Sequence, residues 1–254
     1  MICRKRNKIS MIVVFTIYAV LTVIMYQLDK GIAEQMNLYY CFGPQYIAVI
    51  IGLAIYAALE ALYGIAEEYM PQYRQIWQTA PISIEKHFAY QVRSLLIKTH
   101  AVATMMIIVA SYCTAVVIHY EVDINGIMQM ALGIVQVAIV LSAFNTLANT
   151  LVKGALIMPF TIIIPVMMAR NAVTGDVLSS DRYVYTLSEY LMPIGIGYSN
   201  IVNGFLHKGL VETGYEGMFW LAESDNYAIN LYPIIWSMLI IVVAYSLARN
   251  MCKK

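Results

Sequence analysis

The sequence predicts an all-α membrane protein with six transmembrane helices, organised as a single domain over residues 1–254. Three observations carry this. Hydrophobic residues make up 61% of the chain and charged residues only 12%, about half the charged share of a soluble domain. The apolar residues gather into six runs of the length that a bilayer crossing needs, about 20 residues. The lysines and arginines then sort onto one side once the N-terminus is placed in the cytosol.

The first run, Ser10–Leu28, is too long for a leader segment, and no small-residue cleavage site follows at Leu28–Lys30, so a crossing is expected rather than a cleaved leader. The second spans Gln45–Ile65, the third Thr99–Ile118 and the fourth Gly126–Leu151. The fifth, Gly154–Val173, contains Pro159 and Pro165 and should be kinked. The sixth covers Tyr232–Ala248. Of the 16 basic side chains, 12 fall on the cytoplasmic side under this topology and four (Lys30, Arg170, Arg182 and Lys208) outside. An even number of crossings puts both termini in the cytosol, as expected of a multi-pass protein of the cell membrane.

The connections differ in character. His119–Asn125 is a short external loop, and Lys153 marks a tight internal turn. The external connection over residues 174–231 is not a plain loop. Its stretch Tyr183–Leu206 is too apolar for solvent and is broken by Pro193, Gly195 and Gly197. Irregular backbone at membrane depth survives only where protein covers it. Two short re-entrant helices dipping into the outer leaflet are therefore expected, with a seventh crossing as the rival reading.

The cytoplasmic segment of about residues 67–93 is unlike the rest. Pro71 and Pro81 bracket room for a helix of two to three turns, because proline suits a first turn and ends a helix that runs into it. Tyr73 and Trp77 fall four apart, as do Ile76 and Ala80, the pattern of a helix lying at headgroup level. Ser83 can cap a second helix that carries Lys86, Phe88 and Val92 into the third crossing.

Polar residues inside the runs are costly and are functional candidates. Glu60 lies in the second crossing, seven residues before Glu67 on roughly the same face. Lys98 and Lys153 are its candidate partners, a neutral carboxyl or a position within reach of the headgroups being the alternatives. The fourth crossing carries Gln129, Gln136, Ser142, Asn145 and Asn149; Asn145 and Asn149, one turn apart, must face protein or water as interhelical bonds or as a cargo-lining surface.

Glu67 and Glu68, the phrase Ala80-Pro81-Ile82-Ser83 and the external Tyr190–Phe205 stretch resemble the permease subunits of ABC exporters of the type-2 family. There an acidic residue ends the second crossing, a cytoplasmic coupling helix follows, then a phrase close to Leu-Pro-Val-Ser. The resemblance covers nearly the whole chain, with two departures. Pro71-Gln72-Tyr73 stands where the family often has Gly-Thr, and Tyr90-Gln91 where it often has Gly-Lys.

The resemblance implies a transmembrane subunit that moves amphipathic peptides (antimicrobial peptides among them), drugs or lipids out of the cell. It would pair with itself or a sister permease as a homodimer or heterodimer, and recruit two copies of a separate ABC ATPase subunit. Tyr73, Arg74, Ile76, Trp77, Thr79 and Pro81 would form the docking helix; Glu60, Glu67, Glu68, Asn145 and Asn149 would be intramembrane polar residues. The chain has no Gly-Lys pair, and a phosphate loop needs one. ATP and magnesium are accordingly expected on the partner, with no catalytic residue, cofactor or metal in this chain, and lipid but no nucleic acid as its other partner.

A different class is a membrane-embedded protease of the CAAX type, whose E-E-x-x-x-R element begins here at Glu67 and Glu68. Position 72 is Gln and the first arginine is Arg74, two residues late and about 200° around the helix. The cysteines Cys3, Cys41, Cys113 and Cys252 are scattered without metal spacing.

Overall fold

The structure, a computed structural model, describes residues 38–62, 83–118, 124–151, 159–168, 191–198, 200–201 and 231–253, with single positions at 12, 13, 16, 17, 20, 24 and 157. Among the described residues the regular structure is helical throughout, with no strand. We number the helices α1 (Leu38–Ala61), α2 (Ile84–Ile118), α3 (Ile124–Leu151), α4 (Pro159–Met168) and α5 (Tyr232–Lys253).

Three stretches within these helices are long and apolar enough to cross a membrane: Glu85–Val109, Gly126–Leu151 and Tyr232–Asn250. The surface supports the same class. Ile97, Met105 and Ile108 on α2, Ile127 and Met128 on α3, and Met238, Leu239 and Val242 on α5 are all exposed. So much large apolar surface is unsuited to water, and a lipid environment accounts for it. The described positions of the first apolar run are helical as well, and Ile12, Val13, Ile17, Val20 and Ile24 line its exposed side.

One boundary differs from the sequence expectation: α1 begins at Leu38, seven residues before Gln45. At α2 the expected run from the Ser83 start into the third crossing is present. The amphipathic start at Ser83 and the third crossing form one helix of 35 residues, because nothing between Ile84 and Ile118 breaks helical geometry: the stretch contains neither proline nor glycine. Ser83 caps it as expected. The Lys86 amide donates to the Ser83 hydroxyl oxygen at 3.4 Å, and the His87 amide to the Ser83 carbonyl at 3.1 Å. Glu85 in the first turn faces the positive end of the helix dipole.

α3 is the centre of the assembly. It packs most extensively on α5 and also against α2 and α1. Leu53, Tyr56 and Ala57 of α1, Val102, Ala103 and Met106 of α2, and Val137, Val140 and Leu141 of α3 form one buried cluster, which Met192, Ile194, Tyr198 and Ile201 join. The 191–201 stretch thus packs within the apolar run of α3, and Met192–Tyr198 is buried throughout.

Glycine makes that approach possible. A Cβ added at Gly133 would lie 2.5 Å from the Gly197 carbonyl oxygen and 2.8 Å from the Ile201 amide nitrogen. One added at Gly197 would lie 2.9 Å from the Val137 nitrogen. Both obstacles are backbone, so neither can step aside. Gly133→Leu should therefore release the 191–201 stretch from α3 and cost about 1–3 kcal/mol, whereas Ile127→Leu on the exposed side of α3 should not. Thermal unfolding of the two variants in detergent, read beside the parent protein, measures the difference.

Candidate functional site

Among the described residues, a buried acid is held in an ion pair. Lys98 Nζ lies 2.7 Å from Glu60 Oε2, joining the last turn of α1 to the middle of α2. The Glu60 side chain is only 6% exposed, and that of Lys98 is 35% exposed. Of the two candidate partners, Lys98 makes this contact, and Lys153 lies outside the described residues. The contact follows from antiparallel packing of α1 on α2, which also brings Ala61 against Leu95. The Tyr56 hydroxyl, one turn before Glu60, faces the same carboxylate without reaching hydrogen-bond geometry.

A pair of this kind is fragile in one direction. Removing the cation leaves a buried carboxylate unpaired, which is far worse than removing both charges.

The polar residues of α3 divide into two groups. In the first half, Asn200 bridges two glutamines: its amide donates to Gln136 Oε1 at 2.8 Å and its oxygen accepts from Gln129 Nε2 at 3.4 Å. Gln136 is fully buried. Gln129 and Gln136 are seven residues apart and so share a face, and one side chain from the 191–201 stretch reaches both. In the second half the donors turn back on the helix itself. Asn145 donates to the Leu141 carbonyl at 2.9 Å and Asn149 to the Asn145 carbonyl at 2.8 Å. Thr146 and Thr150 do the same to Ser142 and Thr146.

This orientation fixes each amide, since only the nitrogen can donate to a carbonyl. The Asn145 and Asn149 side-chain oxygens and the Ser142 hydroxyl are left buried without a hydrogen-bond partner among the described residues. Asn145 and Asn149 are buried and bond back to their own helix, and among the described residues the side-chain hydrogen bonds from α3 to another segment run through Gln129 and Gln136. The sequence placed all four on one helix; what it did not hold was Asn200, 64 residues from Gln136.

A third constellation joins the two cytoplasmic-side ends of the topology expected from sequence. The Tyr245 hydroxyl on α5 donates to Glu85 Oε1 on α2 at 3.1 Å. The Phe88 and Tyr245 rings sit 5.5 Å apart at an interplanar angle of 59°, a favourable tilted arrangement. Phe88 packs against Ala244 and Ala248, with Leu147 of α3 beside it. Gln91 and His87, one turn apart on α2, meet at 2.8 Å between side-chain nitrogens.

The remaining sequence candidates, Glu67, Glu68, Tyr73, Arg74, Ile76, Trp77, Thr79 and Pro81, lie outside the described residues. No protein-family profile and no curated protein matches the chain.

The ion pair yields a direct prediction. Lys98→Met should destabilise the protein by about 1–3 kcal/mol, the one-third exposure of Lys98 keeping the loss below that of a fully buried pair. Adding Glu60→Gln to that variant should recover most of the loss. A double-mutant cycle by thermal unfolding in detergent reads both outcomes.

Proposed function

We propose that this chain is the membrane-spanning subunit of an ATP-driven exporter resembling the type-2 ABC permeases. It has six crossings and cytoplasmic termini, and works as a dimer with two separate ATPase subunits. The cargo class is amphipathic peptides, drugs or lipids, moved outward.

The observation that carries this reading is α2. Its 35 residues extend about 52 Å, whereas the hydrocarbon core is about 30 Å thick. If Thr99–Ile118 is the crossing, as read from the sequence, the stretch Ile84–Lys98 with Glu85, Lys86, His87 and Arg93 would stand beyond the core. The Ser83 cap of this helix lies two residues after Pro81. A force applied to the Tyr73–Pro81 segment therefore meets a helix that runs without a break into the membrane. An interfacial anchor with no partner has no use for such a continuous shaft.

Support also comes from the 191–201 stretch, buried against α3 in the manner expected of a re-entrant segment between the last two crossings. The Glu60–Lys98 pair sits where the extension meets the crossing and ties α1 to the shaft.

Within this reading, Trp77 is the anchor side chain in the ATPase groove and Arg74 pairs with an acidic residue there. Trp77→Ala should weaken co-purification of the proposed partner ATPase subunit while leaving membrane insertion unchanged. Retention of the ATPase at parental stoichiometry by this variant would remove the docking role.

A further inference from the structure

We propose that Glu85, Phe88 and Tyr245 are positioning residues that fuse the start of α2 to the end of α5, so that movement at the ATPase-docking segment is delivered to α3 through α5. The inference rests on the reading of the Tyr73–Pro81 segment given above and names the route its motion takes.

Three contacts join these helix ends: the Tyr245–Glu85 hydrogen bond at 3.1 Å, the tilted ring pair at 5.5 Å, and the packing of Phe88 against Ala244 and Ala248. Two alanines four residues apart stand on one face of α5, where small side chains let another helix come close. Phe88 is only 4% exposed there although it lies in the second turn of a helix whose neighbours Glu85, Lys86, Ala89 and Tyr90 are exposed. Leu147 packs here from the α3 side, so the same point touches the central helix.

Elsewhere α2 and α5 barely meet, whereas α5 packs on α3 more extensively than any other described pair of helices. A displacement of the first turns of α2 therefore has a short mechanical path into α5, and α5 has a long seam along which to shift α3. Without the clamp the same displacement would travel up α2 alone. Neither Glu85 nor Tyr245 is deeply buried, so the link needs shape and one hydrogen bond rather than a buried charge.

The test uses the full chain with its four native cysteines replaced, co-expressed with the proposed partner ATPase subunit. An environment-sensitive fluorophore is placed on Met128→Cys, an exposed position near the outer end of α3. Trapping the ATPase with ATP and vanadate should shift the fluorescence of the parent complex. Phe88→Ala and Tyr245→Phe should each reduce that shift about fivefold or more while ATPase co-purification and vanadate-sensitive hydrolysis persist; Phe88→Leu, which returns apolar bulk to this position, should restore it. Tyr245→Phe removes a single oxygen and stands in if Phe88→Ala fails to fold. An unchanged shift in both variants overturns the inference, as does a parent complex that hydrolyses ATP with no shift at all. Failure of the ATPase to bind the parent chain instead overturns the functional reading beneath it, and co-purification separates the two failures.

Discussion

Close packing against α3 holds the described helices together. In lipid, burying one apolar side chain against another gives helices little reason to associate, since the acyl chains are as apolar as leucine. Association then depends on how near two backbones can come and on the few polar bonds between them. The Gly133–Gly197 approach supplies the first, and the Gln129–Asn200–Gln136 bridge supplies the second within one turn of it. The two act on the same pair of segments. The bridge fixes which turn of the 191–201 stretch faces α3, and the glycines let that turn sit close enough for the bridge to form.

The same constraint explains why the second half of α3 behaves differently. There the amides of Asn145 and Asn149 and the hydroxyls of Thr146 and Thr150 donate to carbonyls one turn back. Such back-bonding removes the cost of a buried donor without committing the helix to a neighbour. Among the described residues, one half of α3 thus makes side-chain bonds to another segment, and the other half packs through Leu147 against the Phe88, Ala244 and Ala248 cluster.

The Glu60–Lys98 pair belongs to the same economy of polar groups. An acid near the end of α1 is tolerated because α2 presents a lysine at the same level. The pair adds little net stability, since desolvation offsets most of the attraction. Its value is in registry, because a one-residue slip of α1 along α2 would strand both charges.

What the sequence determined by itself is whatever depends on composition and spacing along one segment. The membrane class, the helical character of the apolar runs and the Ser83 cap follow from residue type and local geometry. Tertiary structure decided the pairings. The Glu60–Lys98 pair, Asn200 as the bridge between two glutamines, the glycine-to-glycine approach and the packing of Phe88 against Ala244 and Ala248 each join residues dozens to more than a hundred positions apart. No periodicity within a helix reports which neighbour its face will meet. The length of α2 fell between the two: the absence of any breaker from Ile84 to Ile118 was legible, but hydropathy alone drew the boundary at Thr99, because it senses where lipid begins and not where the helix does.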